Sequence, residues 1–535
     1  MLKKINYVSS VCGSGKTHAA IKYISENQFQ EKFLITVPTI KLSAQITKDL
    51  SNLGVQNVFE VNCEITKKQN VKEAAKKVFH EINELTYGVA IITNPNFENL
   101  PEYIRKSLTG FVHILDEPPK LIEAVDINLP YSHKTLTDLL KVVPSNIFEN
   151  ISDVFSNNTN LIEKYIQRSS DVLNDHIKLL LKKIISPHYM VVADTENWEK
   201  IVVNGNISPD VIFGENKQTF GNAKNKITFI SILKPSIEKY FSKTIYLGAN
   251  FENSMMFQFW QDNFNVQFTV AEEIQKNLRL TEHTNGDLLN IYYGQKNNYS
   301  RYQSRLIDKE SGLNGAQIHF QIAKEILDPN KKVLTLCNLD DEKYAFDAWN
   351  KVSSVPHGLN EFQDYNQFCF TGAYNFSPRT YKLLEYLNIN KDAIFHDMTI
   401  NRAYQGLLRT SLRNPDSLEP VSCYVPNEII ANEIGKMFIG ANLISINGDK
   451  EKVVGKEALG DSATRILRLK KGLMNAHYVL DKLQDTNYGE IVFDSEQELP
   501  ILLNHYKNMY SKGETELTYF SDFAKTVEKF FHYNL

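Results

Sequence analysis

Cysteine is sparse in this chain, and its few copies are scattered. Cys12, Cys63, Cys337, Cys369 and Cys423 form no C-x-x-C pair, which excludes the usual zinc and iron–sulfur ligand sets and a disulfide framework. Such usage suits a reducing compartment. No apolar run approaches the roughly 20 residues that a membrane span needs. The first apolar strand candidate starts at Ile5, leaving no room ahead of it for a signal peptide. A cytoplasmic location with no membrane partner is the expectation. Charge of one sign is not in excess either, since 59 Lys and Arg against 63 Asp and Glu give a net charge of −4. That balance argues against indiscriminate coating of polyanions and leaves room for a local basic track. Solenoid repeats and low-complexity tracts are absent. What the chain does have is length and aromatic rings: 535 residues, with 30 Phe and 26 Tyr that belong by default to cores. The length is enough for three or four domain-sized units.

The most informative segment is Ser10-Val11-Cys12-Gly13-Ser14-Gly15-Lys16-Thr17, which follows the strand candidate Ile5 to Val11. It meets G-x-x-x-x-G-K-[ST] at the last three positions, with Ser10 in place of the first Gly. Glycines let backbone N–H groups close around an anion, and a helix beginning near Lys16 points its N-terminus at the same place. Gly13, Ser14, Gly15, Lys16, Thr17 and His18 are therefore the expected phosphate-binding residues, with Lys16 at the terminal phosphates and the Thr17 hydroxyl on Mg²⁺. The second requirement is a carboxylate pair at the end of a neighbouring strand, where open α/β sheets place their ligands. Phe111-Val112-His113-Ile114-Leu115-Asp116-Glu117 supplies it. Asp116 would hold Mg²⁺, and Glu117 would orient or deprotonate the attacking water.

Apolar runs and helical patterns alternate over residues 1–119, the signature of a parallel sheet covered by helices. Strands are expected at Ile5 to Val11, Phe33 to Val37, Val89 to Thr93 and Val112 to Leu115, and a helix at Lys67 to Leu85. Between 120 and 220, Leu and Ile recur at helical spacing (Thr135 to Val142, Leu161 to Ile166, Val172 to Ile185), so a mostly helical insertion is expected. The alternating style returns at Ile227 to Ile232 and Thr244 to Leu247. A second α/β segment is expected from Leu288, with strands at Leu288 to Tyr293, Val333 to Leu336, Gln367 to Phe370 and Val421 to Val425. The stretch from 446 onward is lysine-rich and helical by pattern, and contains the basic amphipathic run Ala463 to Lys471.

With its loop and its Asp-Glu pair the chain resembles the superfamily 2 helicases, whose first motif is usually written with a small residue where Ser10 stands. Other segments extend the resemblance. Val37 to Gln45 is similar to motif Ia and Ile91 to Pro95 to motif Ib, which implies nucleic-acid backbone contacts by Pro38, Thr39, Lys41, Thr93 and Asn94. Leu247-Gly248-Ala249-Asn250 stands where the family carries Ser-Ala-Thr, implying a coupling role for Gly248 and Asn250. Val333 to Asn338 resembles motif IV. Ser354 to Asn360 resembles motif V, with His357 at the Arg position and Gly358 and Asn360 as contacts. Asn401 to Arg413 resembles motif VI, in which Gln405, Arg409 and Arg413 complete the nucleotide site and one arginine acts as the finger. On a helix, offsets of four and eight from Gln405 share a face, so either arginine fits.

The resemblance implies an α/β fold of two RecA-like parallel-sheet domains, the first formed by 1–119 and 221–255, the second by 256–445. A helical insertion (120–220) sits where iron–sulfur repair helicases carry an arch, and a helical C-terminal accessory region spans 446–535. The implied activity is ATP-driven helicase or translocase work with ATP and Mg²⁺, ATP being the default because no adenine-reading Gln motif precedes the loop. Implied partners are single-stranded DNA or RNA, duplex junctions, and replication or recombination proteins, since small divergent helicases are frequent in phages and mobile elements. Two alternatives stay open. One is a viral DNA-packaging motor of the large-terminase type, which needs a C-terminal nuclease; Asp340, Asp341, Asp364 and Asp397 lack the spacing for it. The other is a nucleotide-gated nucleic-acid-binding switch that does not unwind.

Overall fold

A computed structural model describes residues 4–61, 71–128, 134–167, 175–203, 226–328, 330–352 and 362–446. The basic run Ala463 to Lys471, with the rest of the expected C-terminal helical region beyond 446, lies outside the described residues, as do Gly358 and Asn360. Two compact units are distinguished: 1–293 with 323–444, and 294–322 with 445–535.

The larger unit opens with β1 (Lys4–Ser10), β2 (Lys32–Val37), β3 (Val58–Val61), β4 (Gly88–Thr93) and β5 (Val112–Asp116). Every residue of β4 and β5 is buried, as continuous apolar strands are when helices cover both faces of a parallel sheet. Next come β6 (Ile122–Asn128), β7 (Leu140–Pro144), β8 (Ile151–Ser156), β9 (Tyr189–Asp194) and β10 (Lys226–Leu233), and then β11 (Lys243–Ala249) and β12 (Gln267–Val270). The first sheet has the order β12-β1-β11-β5-β2-β4-β3, parallel at every pairing. It extends past residue 255, because β12 pairs with β1 from Lys4↔Gln267 to Tyr7↔Val270.

The insertion differs from the expectation. Its helices Thr159–Gln167 and Asp175–Ile185 are present, but they accompany a five-stranded antiparallel sheet of order β6-β10-β9-β8-β7. Thr135 to Val142, expected as helix, is instead a four-residue helix, Lys134–Thr137, running into β7. The β-branched pair Val142-Val143 followed by Pro144 suits a strand end better than a helix interior. Ile227 to Ile232, expected in the first lobe, pairs within this inserted sheet. The insertion has its own core, including Ile162, Leu181, Val191, Trp198 and Phe229. It is anchored at Glu102, whose carboxylate contacts His188 Nε2 at 2.7 Å and accepts from Tyr240 Oη at 2.6 Å and from Lys239.

The second α/β lobe carries β13 (Leu289–Gln295), β14 (Val333–Leu336), β15 (Asn350–Lys351), β16 (Gln367–Phe370), β17 (Val421–Asn427) and β18 (Asn442–Ser445), ordered β15-β14-β16-β17-β13-β18. The β14–β15, β14–β16 and β16–β17 pairings are parallel. Aromatic residues fill the cores as expected: Tyr246, Phe251, Trp260, Tyr404 and Phe368 are all fully buried. In the smaller unit His319 lies edge-on to Tyr299 with ring centroids 4.5 Å apart, and burial lowers its pKa to about 4. No helix among the described residues is long and apolar enough to cross a membrane.

Candidate functional site

The phosphate loop links β1 to helix α1 (Lys16–Asn27). Gly13 and Gly15 have φ of +81° and +85°, a region that costs other residues strain. Gly15 is also the N-cap, and no side chain caps the helix, so its first amides remain available to an anion. Lys16 is folded into this loop: its Nζ donates to the Val11 carbonyl at 2.8 Å and lies 3.4 Å from Ser10 O and Ser14 Oγ. Burial lowers the Lys16 pKa, opposed by Asp116 and Glu117.

Sheet register brings the acid pair to the loop. β11 lies between β1 and β5, with Ser10 opposite Ala249 and Leu247 opposite Asp116. Asp116 is buried, and the Thr17 hydroxyl donates to it, 2.9 Å from Oδ2 and 3.1 Å from Oδ1. A hydroxyl and a carboxylate converging in this way form an oxygen donor set that suits Mg²⁺. Glu117 adopts a φ of +79° while its N–H donates to Leu247 O at 3.1 Å. Strained backbone of this kind collects at working sites.

Lobe two closes the site. Gln405, Arg409 and Arg413 line one cavity of about 960 Å³ together with Gly13, Gly15, Lys16, Thr17, His18, Asp116 and Glu117. The helical-face argument for the two arginines does not hold. The helix spans only Asn401–Leu407, and the chain then turns into the short 3-10 segment Ser411–Arg413. Tight bonds from Arg409 N–H to Gly406 O and from Thr410 N–H to Leu407 O make that turn, and it returns both side chains to the cavity. Arg409 is 5% exposed. Burial disfavours its charge, and the nearby Arg413 adds to that while Glu117 opposes it. Because a guanidinium keeps its proton, a bound anion would relieve the pair.

The coupling candidates sit between the lobes. Gly248 is in β11, and Asn250, at φ +49°, donates its N–H to Ser10 O at 3.2 Å and its side-chain amide to Met437 Sδ at 3.7 Å. Ala249 and Cys12 pack on the core of lobe two. The strand-contact candidates of lobe one also converge. Pro38 and Thr39 follow β2, Thr93 ends β4, and Val37 stands opposite Thr93 in register. Thr39 caps helix α2 (Ile40–Asn52), accepting from Leu42 N–H at 3.2 Å, with Lys41 exposed on the first turn. Asn94 begins the short helix Asn94–Glu98. Asn338 is engaged locally: its Oδ1 accepts from Ala373 N–H at 2.7 Å.

Sequence reasoning missed several residues at the site. Arg279, Leu280 and Gln363 line the cavity, and Tyr404 and His283 form a hydrogen-bonded pair against the loop at Cys12. Tyr404 lay within the motif VI segment and could have been found there. Arg279 follows the four-residue β12, too short to stand out by periodicity.

Residues 2–118, which carry the loop and the acid pair, match the family described as Type III restriction enzyme, res subunit. No curated protein matches the chain. Among solved structures, S. tokodaii Xpd4 is 12% identical over 82% of this chain and 96% of its own, with a TM-score of 0.45. A structure titled XPD helicase is 12% identical over 83% and 96%, with a TM-score of 0.43. Mss116p bound to ssRNA and AMP-PNP is 10% identical over 99% and 83%, with a TM-score of 0.26. Likeness at these values adds no argument of its own, and the α/β assignment rests on the sheets described above.

Proposed function

We propose that this chain is a superfamily 2 helicase that hydrolyses ATP to move along or unwind nucleic acid, with single-stranded DNA and its duplex junctions as the first substrate to test. The observation that carries the reading is the single cavity in which Lys16, Thr17, Asp116 and Glu117 of lobe one face Gln405, Arg409 and Arg413 of lobe two. Lys16 would leave the Val11 carbonyl to meet the terminal phosphates, and Thr17 with Asp116 would hold Mg²⁺. When bound, that ion neutralises charge on the phosphates. Glu117 would orient the attacking water, and the arginines would stabilise charge on the transferring phosphoryl group. Ala249 and Asn250, tied to lobe two, support coupling between hydrolysis and the neighbouring strand ends at Thr39 and Thr93. A parallel second lobe presenting arginines to the nucleotide favours this reading over a packaging motor.

The test is ATP turnover with and without single-stranded DNA or RNA, followed by unwinding of tailed duplexes. Turnover is expected to rise many-fold with one of the two nucleic acids, and Lys16→Ala is expected to abolish it while part of the strand binding remains. No stimulation by either would sink the motor reading, and turnover retained in Lys16→Ala would sink the assigned loop.

A further inference from the structure

One arginine is fastened onto the phosphate loop from a distant part of the chain. Arg279 lies beyond β12 and the short helix Glu272–Gln275. Its N–H donates to Ser14 O at 2.9 Å, and the carbonyl of the next residue, Leu280, accepts from Ser10 Oγ at 3.3 Å. The segment is thus pinned to both ends of the loop. Its side chain lies flat over Gly15: a Cβ there would stand 3.2 Å from Arg279 Cγ and 3.3 Å from Cδ. The positive φ of Gly15 already requires glycine, and the arginine stem uses the same bare surface. Arg279 is exposed and lines the nucleotide cavity beside Leu280.

We infer that Arg279 is the base-contacting residue of the nucleotide site, its guanidinium plane stacking on the base of a purine nucleotide. The inference rests on the nucleotide-site reading above and deepens it. Strand order supplies the direction. Asp116 and Glu117 stand two strands from β1 on one side, at β5, whereas Arg279 comes from the strand on the other side, β12. The cavity that holds Asp116 also reaches Arg279 and Leu280 on the β12 side, and with the terminal phosphate at Asp116 the proposal places the base at that end. The phosphate end already has Lys16, Arg409 and Arg413, and the β12 end has a planar cation with Leu280 beside it. Arginine over a ring gains about 0.5–2 kcal/mol. Stacking reads the ring face and not its edge, so it favours purines by their larger face and does not separate ATP from GTP.

The experiment is equilibrium binding, by calorimetry, of ADP, CDP and inorganic pyrophosphate to the full chain and to Arg279→Ala and Arg279→Lys. Wild type is expected to bind ADP more tightly than CDP. Arg279→Ala is expected to weaken ADP by about twofold to thirtyfold, to remove most of the preference over CDP, and to leave pyrophosphate unchanged. Arg279→Lys keeps the charge and loses the plane, so it is expected to resemble the alanine variant for ADP. Equal weakening of ADP and pyrophosphate in Arg279→Ala, or full rescue by lysine, overturns base stacking in favour of a phosphate contact. Unchanged ADP binding in both variants overturns the role of Arg279 and leaves the site reading intact. Wild type that binds neither ADP nor pyrophosphate overturns both.

Discussion

Replacing Tyr404 with Phe removes one hydroxyl from the junction between the lobes, and the loss is expected to register at the phosphate loop. Tyr404 is fully buried in the helix Asn401–Leu407. Its oxygen accepts from Cys12 N–H at 2.9 Å and lies 2.6 Å from His283 Nε2. Burial first, and the charge of Lys16 second, lower the His283 pKa to about 4, so the ring is neutral at pH 7. In the tautomer that carries its proton on Nδ1, the Tyr404 hydroxyl donates to Nε2. Without it, a buried ring nitrogen loses its partner at a cost of about 1–3 kcal/mol, and Cys12 N–H, which water reaches more easily, loses less. Amide exchange of a peptide spanning Cys12 reads the contact locally, and for a bond of about 0.5–1.5 kcal/mol it is expected to accelerate by about twofold to thirteenfold. His283→Phe keeps the ring that stacks on Phe438 at 4.3 Å and 15° and removes the nitrogen. If the bond is real, the double variant shows a coupling of about 0.5–1.5 kcal/mol. Unchanged exchange at Cys12, or additivity within about 0.3 kcal/mol, refutes the relay.

Arg409→Ala and Arg413→Ala are expected to separate the finger from its neighbour: one should lower kcat by about a thousandfold or more with a smaller change in KM, and losses below tenfold in both would remove the arginines from the chemistry. Stability should fall in acid in two stages. His283 and His319 titrate near 4 when folded, against an ordinary 6.5, so the unfolded chain takes up protons first and their contribution is lost as pH falls from 6.5 toward 4. Glu102 is pushed up by burial but held lower, at about 2, by its bonds to Lys239, Tyr240 and His188. Its contribution, present above 4.5, is lost as pH falls toward 2. Urea midpoints measured against pH test both stages, and a flat profile between pH 7 and 4 contradicts the histidine stage.

Much of lobe one was legible because its parallel strands are buried on both faces and read as unbroken apolar runs, as in Gly88-Val89-Ala90-Ile91-Ile92-Thr93. The phosphate loop and Asp116-Glu117 were legible for a different reason: their chemistry fixes residue types at fixed spacing. The inserted sheet was not. Its strands are five to eight residues long, and the neighbouring helices Thr159–Gln167 and Asp175–Ile185 dominate the local periodicity. β3 and β12, four residues each, fell below what period-two alternation can reveal. The site residues that were missed arrive from far along the chain. Nothing near Arg279 in sequence announces Ser14, because the contact depends on β12 pairing with β1. The arginine turn was misjudged because helical spacing was carried past Leu407, where the backbone leaves the helix.

Strand order also explains how a nucleotide could be felt outside its own cavity. β11 is the shared neighbour of the loop strand and the acid strand, and at about 4.8 Å between strands its end lies within one strand of both. That end, Ala249-Asn250, touches lobe two at Met437 and its core. Tyr404 makes the reverse connection, from lobe two to the loop at Cys12. The loop is therefore held from lobe two on two sides, while Lys16 remains folded on the Val11 carbonyl. A phosphate that draws Lys16 away changes a loop whose neighbouring residues, Ser10 and Cys12, are bonded to Asn250 and Tyr404. A shift of lobe two on filling the loop is the outcome this linkage predicts, since the loop is bonded to Tyr404 Oη at 2.9 Å through Cys12 and to Asn250 N–H at 3.2 Å through Ser10.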